Sequence, residues 1–172
     1  GGVHLSGGSL QQTSGTLNTT GTFTIDLGTT VNIAGGTFNP TGPVNNNGTL
    51  MLGPVTVNMQ GGGNHSGVFN VAGGGQLFFD GMTHTLQGTQ LQGSGLIGFS
   101  AGNLHLANST TSVRDGGSYR WSGTTTMDGA GQLDFINGSI FQMFGPGLQT
   151  LDGPTLNAGQ TSIVSGTLHI LN

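Results

Sequence analysis

The sequence predicts an all-β protein: a right-handed parallel β-solenoid of about 22 residues per coil and roughly seven to eight coils. Three observations carry this: a composition that disfavours helices, short strands with period-two patterning, and columns of like residues that recur at a fixed step. Of the 172 residues, 36 are glycine and only eight are charged, six aspartates and two arginines. Lysine and glutamate are absent, so the chain lacks two good helix formers while Gly, Thr, Asn and Ser, all poor ones, abound. A soluble domain usually carries about 25% charged residues. This surface must be wetted by amides, hydroxyls and backbone instead.

The strand segments begin at or near glycine. Gly15-Thr-Leu, Gly21-Thr-Phe-Thr-Ile, Gly48-Thr-Leu-Met-Leu, Val55-Thr-Val-Asn-Met, Gly67-Val-Phe-Asn-Val and Gly166-Thr-Leu-His-Ile alternate apolar and polar positions over three to five residues. Between them lie Gly, Asn, Asp and Pro clusters with turn chemistry. Alternation of this kind points Thr22, Thr24, Asn32, Thr56, Asn58 and Asn70 outward, where stacked amides and hydroxyls can form ladders.

A step of 22 residues aligns the second half. From Ile97 it reaches Tyr119, Phe141 and Ile163; from Phe99 it reaches Trp121 and Met143; from Leu104 it passes Thr126 to Leu148 and Ile170. Leu91, Val113 and Phe135 form a further apolar column, which Asn157 ends, and Gly93, Asp115, Asn137 and Gly159 form a turn column. These residues are the expected core ladder. The organisation is one domain over 1–172, looser over 1–90 and more regular over 91–172, with loop insertions expected to explain the looser half. Coils stacked about 4.8 Å apart would make a rod on the order of 35–40 Å long.

Neither end of the sequence resembles a polar cap. Val3 and Leu5 at one extremity and Leu168 and Ile170 at the other are candidate subunit contacts, joining coils head to tail in a homopolymer or continuing a longer array.

The Gly-Thr-Leu/Phe-x-Ile/Leu units, the Asn45-Asn46-Asn47-Gly48 run, read as a turn, and the scarcity of charge resemble bacterial autotransporter passenger domains and filamentous-haemagglutinin-type adhesins. That resemblance implies a right-handed parallel β-helix, an extracellular or cell-surface location, and a role in adhesion, biofilm or fibre formation.

The chemistry-bearing residues are sparse. A net charge of −4 on scattered aspartates gives no footprint for nucleic acid, and no apolar run approaches a membrane span. Without cysteine there is neither a disulfide framework nor a thiolate metal site. His4, His65, His84, His105 and His169 are not at ligand spacing, and polar surface or turn positions are expected for them. Asp80, Asp115, Asp128 and Asp152 each precede glycine, a turn signature rather than a calcium repeat. No catalytic, cofactor or metal residues are therefore expected, and the chain reads as non-enzymatic. The alternative is a polysaccharide-binding or polysaccharide-cleaving β-helix, for which the clearest charged pair is Arg114 with Asp134 on adjacent coils. Arg120 should project outward beside an inward Trp121. Thr-x-Thr elements raise an ice-binding face, but the outward column Gly98, Arg120, Gln142, Val164 is no threonine rank.

Overall fold

The computed structural model describes residues 2–158, 161–163 and 165–171. Their strands, 25 in number, are short, and every ladder between them is parallel. Each coil contributes one strand to each of three faces, so the chain is a parallel β-solenoid of about eight coils. The first face starts at Val3–Leu5 and ends at Thr167–Leu171, and the second runs from Ser9–Gln12 to Thr155–Ala158. The third runs from Thr16–Thr19 to Thr161–Ile163, with its ladder interrupted between Thr37–Pro40 and Thr56–Met59.

Alternation explains the core. Inward positions of all three faces meet along the axis, where Phe23, Val31, Phe38, Leu50, Phe69 and Leu77 are almost fully buried. Their partners one residue along point to solvent. Parallel ladders buried on one side need corners that reverse direction in few residues, and positive φ supplies them. In Arg114–Gly117 and Ile136–Ser139, Asp115 (φ 63°) and Asn137 (φ 54°) precede Gly116 and Gly138, both also at positive φ. Gly117 N–H donates to Arg114 O and Ser139 N–H to Ile136 O, each at 3.3 Å. The Asp-Gly steps at 80, 128 and 152 likewise place their glycines at positive φ.

The expected ladder holds through much of the second half. Leu91 lies under Val113 and then Phe135, Ile97 under Tyr119 and Phe141, and Phe99 under Trp121 and Met143. Three corrections follow from coil length. The Leu104 column continues through Met127 and Leu151 to Ile170, because the intervening coils hold 23 and 24 residues; Thr126 faces outward and Leu148 pairs with Thr167, 42% exposed. Ile163 pairs with Met143 and not with Phe141, which pairs with Thr161; the Ile163 side chain lies outside the described residues, as do Gly159 of the turn column and Val164. Phe135 is followed by Ala158, so Asn157 does not end that column.

The looser first half is not lengthened by insertions. Its coils are shorter: Val31, Leu50 and Phe69 stack at steps of 19, and Val57, not Val55, lies beneath Leu77 at a step of 20. A single period of 22 therefore misaligns it. Asn46 is also no turn residue. It ends the strand Val44–Asn46, fully buried, and its amide donates to Val68 O at 2.9 Å.

Candidate functional site

The most distinctive surface lies on the third face of the first three coils. Asn18 and Asn39 are in register, and the Asn39 amide donates to Asn18 Oδ1 at 3.0 Å. The Gln60 N–H to Pro40 O contact, 3.5 Å, continues that register and sets Asn58 above Asn39. A column of three asparagines results, one per coil. Threonines flank it, Thr16, Thr37 and Thr56 on one side and Thr20 and Thr41 on the other, with Gln60 completing the second flank. All of these side chains are exposed. The sequence carries the pattern as Thr-x-Asn-x-Thr at 16–20 and 37–41 and Thr-x-Asn-x-Gln at 56–60. It escapes a search at step 22 because the steps here are 21 and 19.

Pro40 lies on this surface. Without an N–H it cannot donate into the next strand, and it lies where the ladder is open between Thr37–Pro40 and Thr56–Met59. A groove of about 330 Å³ runs across these three coils, lined by asparagine, threonine, glutamine and Pro40, with no charged side chain. Further along the face Phe78 follows Asn58 in the column, its ring lying directly against Gly98, whose lack of a side chain makes the space. Arg120 comes next, outward as expected, with its guanidinium 5.1 Å from the Phe144 ring centre. Trp121 is fully buried, its Nε1–H donating to Thr125 Oγ1 at 2.6 Å. A second shallow groove of about 250 Å³ runs beside Arg120 and Gln142.

The histidines divide into two kinds. His4 lies 2.7 Å from Asp26 on the surface, and His105 Nδ1 lies 2.6 Å from Asp128 Oδ1, whose other oxygen accepts from the Asn103 amide at 3.0 Å. Asp152 is in register with Asp128 on the next coil, a carboxylate pair that the sequence step had hidden. This cluster sits on the first face, away from both grooves. Arg114 and Asp134 do not meet: Arg114 Nε donates to Ser112 Oγ at 3.0 Å and Asp134 accepts from the Gln132 amide.

His65 and His84 contradict the surface expectation. Both point into the core, 1% and 0% exposed, from the strands Gly63–His65 and Thr83–Leu86. His84 Nε2 lies 2.9 Å from Met59 O and 3.3 Å from Asp80 O. Carbonyls only accept, so that nitrogen carries the proton and His84 Nδ1 is the acceptor for His65 Nε2–H, 3.1 Å away. Burial holds His65 well below the usual imidazole range, and the neighbouring His84 adds to this. Burial also lowers His84, against the opposing pull of the Asp80 and Met59 carbonyls. Both rings are neutral, packed among Phe69 and Phe79. They are core residues rather than a solvent-facing acid–base pair.

The candidate end contacts are as follows. Val3, Leu5 and Leu168 pack half-buried against the core, whereas Ile170 is 61% exposed. Phe141, Met143, Leu151, Leu156, Leu168 and Ile170 surround an apolar hollow of about 310 Å³ at that extremity of the described stack. No group of three or more His, Asp or Glu side chains able to hold a metal occurs among the described residues. No helix among them is long and apolar enough to cross a membrane.

No family model matches the chain, and neither a curated protein nor a solved structure matches it.

Proposed function

We propose that this chain is an extracellular, non-catalytic structural or adhesive β-solenoid that assembles head to tail into a fibre or forms part of a surface adhesin. The observation that carries the reading is that coil-to-coil contact is of one kind: parallel backbone ladders, continuous on two faces and broken once on the third, with apolar columns between them. Val3–Leu5 and Thr167–Leu171, the outermost described strands of the first face, each pair with one neighbour among the described residues and carry apolar side chains like those of the inner rungs. A rung added there, by a neighbouring subunit or by more of the same array, repeats an interface the protein already makes about seven times. Such a contact is heterologous and does not close, so it propagates. The resemblance in texture to filamentous adhesins supports the same reading.

Electron microscopy of the purified chain at increasing concentration tests it. Fibres with a repeat close to one subunit length are expected, and Ile170→Lys, which places a charge on an end rung, should leave dispersed particles with an unchanged far-ultraviolet spectrum. Monomers at every concentration from a folded, unaltered chain would overturn the assembly reading.

A further inference from the structure

We propose that the asparagine column of the first three coils binds a neutral, extended, β-1,4-linked polysaccharide lying along the solenoid axis. The proposal goes beyond self-association, since this face runs along the side of the stack and not across its ends, and is present in a single subunit.

Four features of the site converge on that ligand. The first is its chemistry. A sugar hydroxyl both donates and accepts, and amides and hydroxyls match it on both counts, whereas carboxylates only accept and ammonium groups only donate. Among the described residues Asn39 and Asn18 exchange a single hydrogen bond, which leaves Asn18 Nδ2, Asn39 Oδ1 and the whole Asn58 amide without protein partners.

The second is charge. The groove lining contains no ionisable side chain, so nothing there would compensate the carboxylates of an acidic glycan. The third is period. Parallel rungs repeat at about 4.8 Å, close to the advance of one pyranose ring in an equatorially linked chain, so each ring meets one amide. The fourth is shape. The face is concave here, and a concave strip about 330 Å³ in volume seats a chain of rings better than it seats a flat layer of ordered water. The three asparagines are held by strands and not by loops, so binding orders little of the protein.

The experiment uses cellohexaose and chitohexaose as neutral probes and polygalacturonate as the acidic one, with binding followed by calorimetry. It is run on the unaltered chain and on Ile170→Lys, so the result does not depend on polymerisation. Binding of at least one neutral hexaose is expected. Asn39→Ala and Asn58→Ala should each weaken it about tenfold, while Asn32→Ala, on the second face, should not change it. Binding of neither neutral probe, retention of polygalacturonate alone, or neutral binding untouched by both groove variants would overturn the proposal. Inhibition of ice growth without glycan binding would also overturn it, and would assign the face to ordered water.

Discussion

At the scale of single residues, two polar groups carried by core aromatics differ in cost. The Trp121 indole N–H is satisfied by Thr125, so its burial costs little. The Tyr119 hydroxyl is fully buried with no partner among the described residues, and burial pushes its ionisation far above the usual phenol range. An unsatisfied buried hydroxyl costs about 1–3 kcal/mol. Tyr119→Phe keeps the stacking on Phe141 (ring centres 6.1 Å, planes 25° apart) and the edge contact with Phe135. It should therefore raise the melting temperature by about 2–4 °C, near 1 kcal/mol. A lower melting temperature would mean that the hydroxyl is satisfied.

At the scale of elements, the strands Val44–Asn46, Gly63–His65 and Thr83–Leu86 carry a polar seam, Asn46, His65 and His84, beside the apolar columns of the interior. Gly63 lets two of them approach: a Cβ there would stand 1.8 Å from Val44 O. Both histidines are held neutral in the folded state, below their unfolded pKa of about 6.5. Above that pH the unfolded chain is neutral too, and folding loses nothing to proton uptake. As pH falls below about 6.5 the unfolded chain binds protons that the folded chain refuses, so stability declines, by at most about 1.4 kcal/mol per pH unit for each ring. Denaturation midpoints measured from pH 8 to pH 5 should fall, and should fall less in a His65→Leu, His84→Leu double variant. An identical pH dependence in both chains would contradict the burial of the pair.

This seam also shows what the sequence concealed. His65 sits in Gly61-Gly-Gly-Asn-His-Ser-Gly, where glycine density mimics a loop, yet the chain passes through it as a strand because the alternation of Asn64 out and His65 in continues the face. Where residues are apolar, as at Tyr119 and Trp121, alternation alone told inside from outside. Where they are polar, only the register to neighbouring coils decides, and that register changes from coil to coil.

For the whole molecule, architecture was legible and period was not. Composition and alternation suffice for a parallel stack, and the 22-residue step is right wherever three successive coils share it, from Leu91 to Phe135 and from Ile97 to Phe141. Corners of different length shift the step to values from 19 to 24 elsewhere, which displaced Leu148 from the core and hid the Thr-x-Asn-x-Thr array. The groove was illegible for a further reason: its lining comes from three coils, and these meet only once the coils are stacked in register.

The parallel stacking of successive coils is tested most directly by a disulfide, since the chain has no cysteine of its own. Asn32 and Met51 are in register on adjacent coils of the second face, both facing outward, and neighbouring parallel strands bring Cα atoms within the range a disulfide spans. Mass spectrometry of the Asn32→Cys, Met51→Cys chain after mild oxidation should find nearly complete intramolecular bridging with the fold intact. Thiols that stay free, or that bridge only between chains, would contradict the stack.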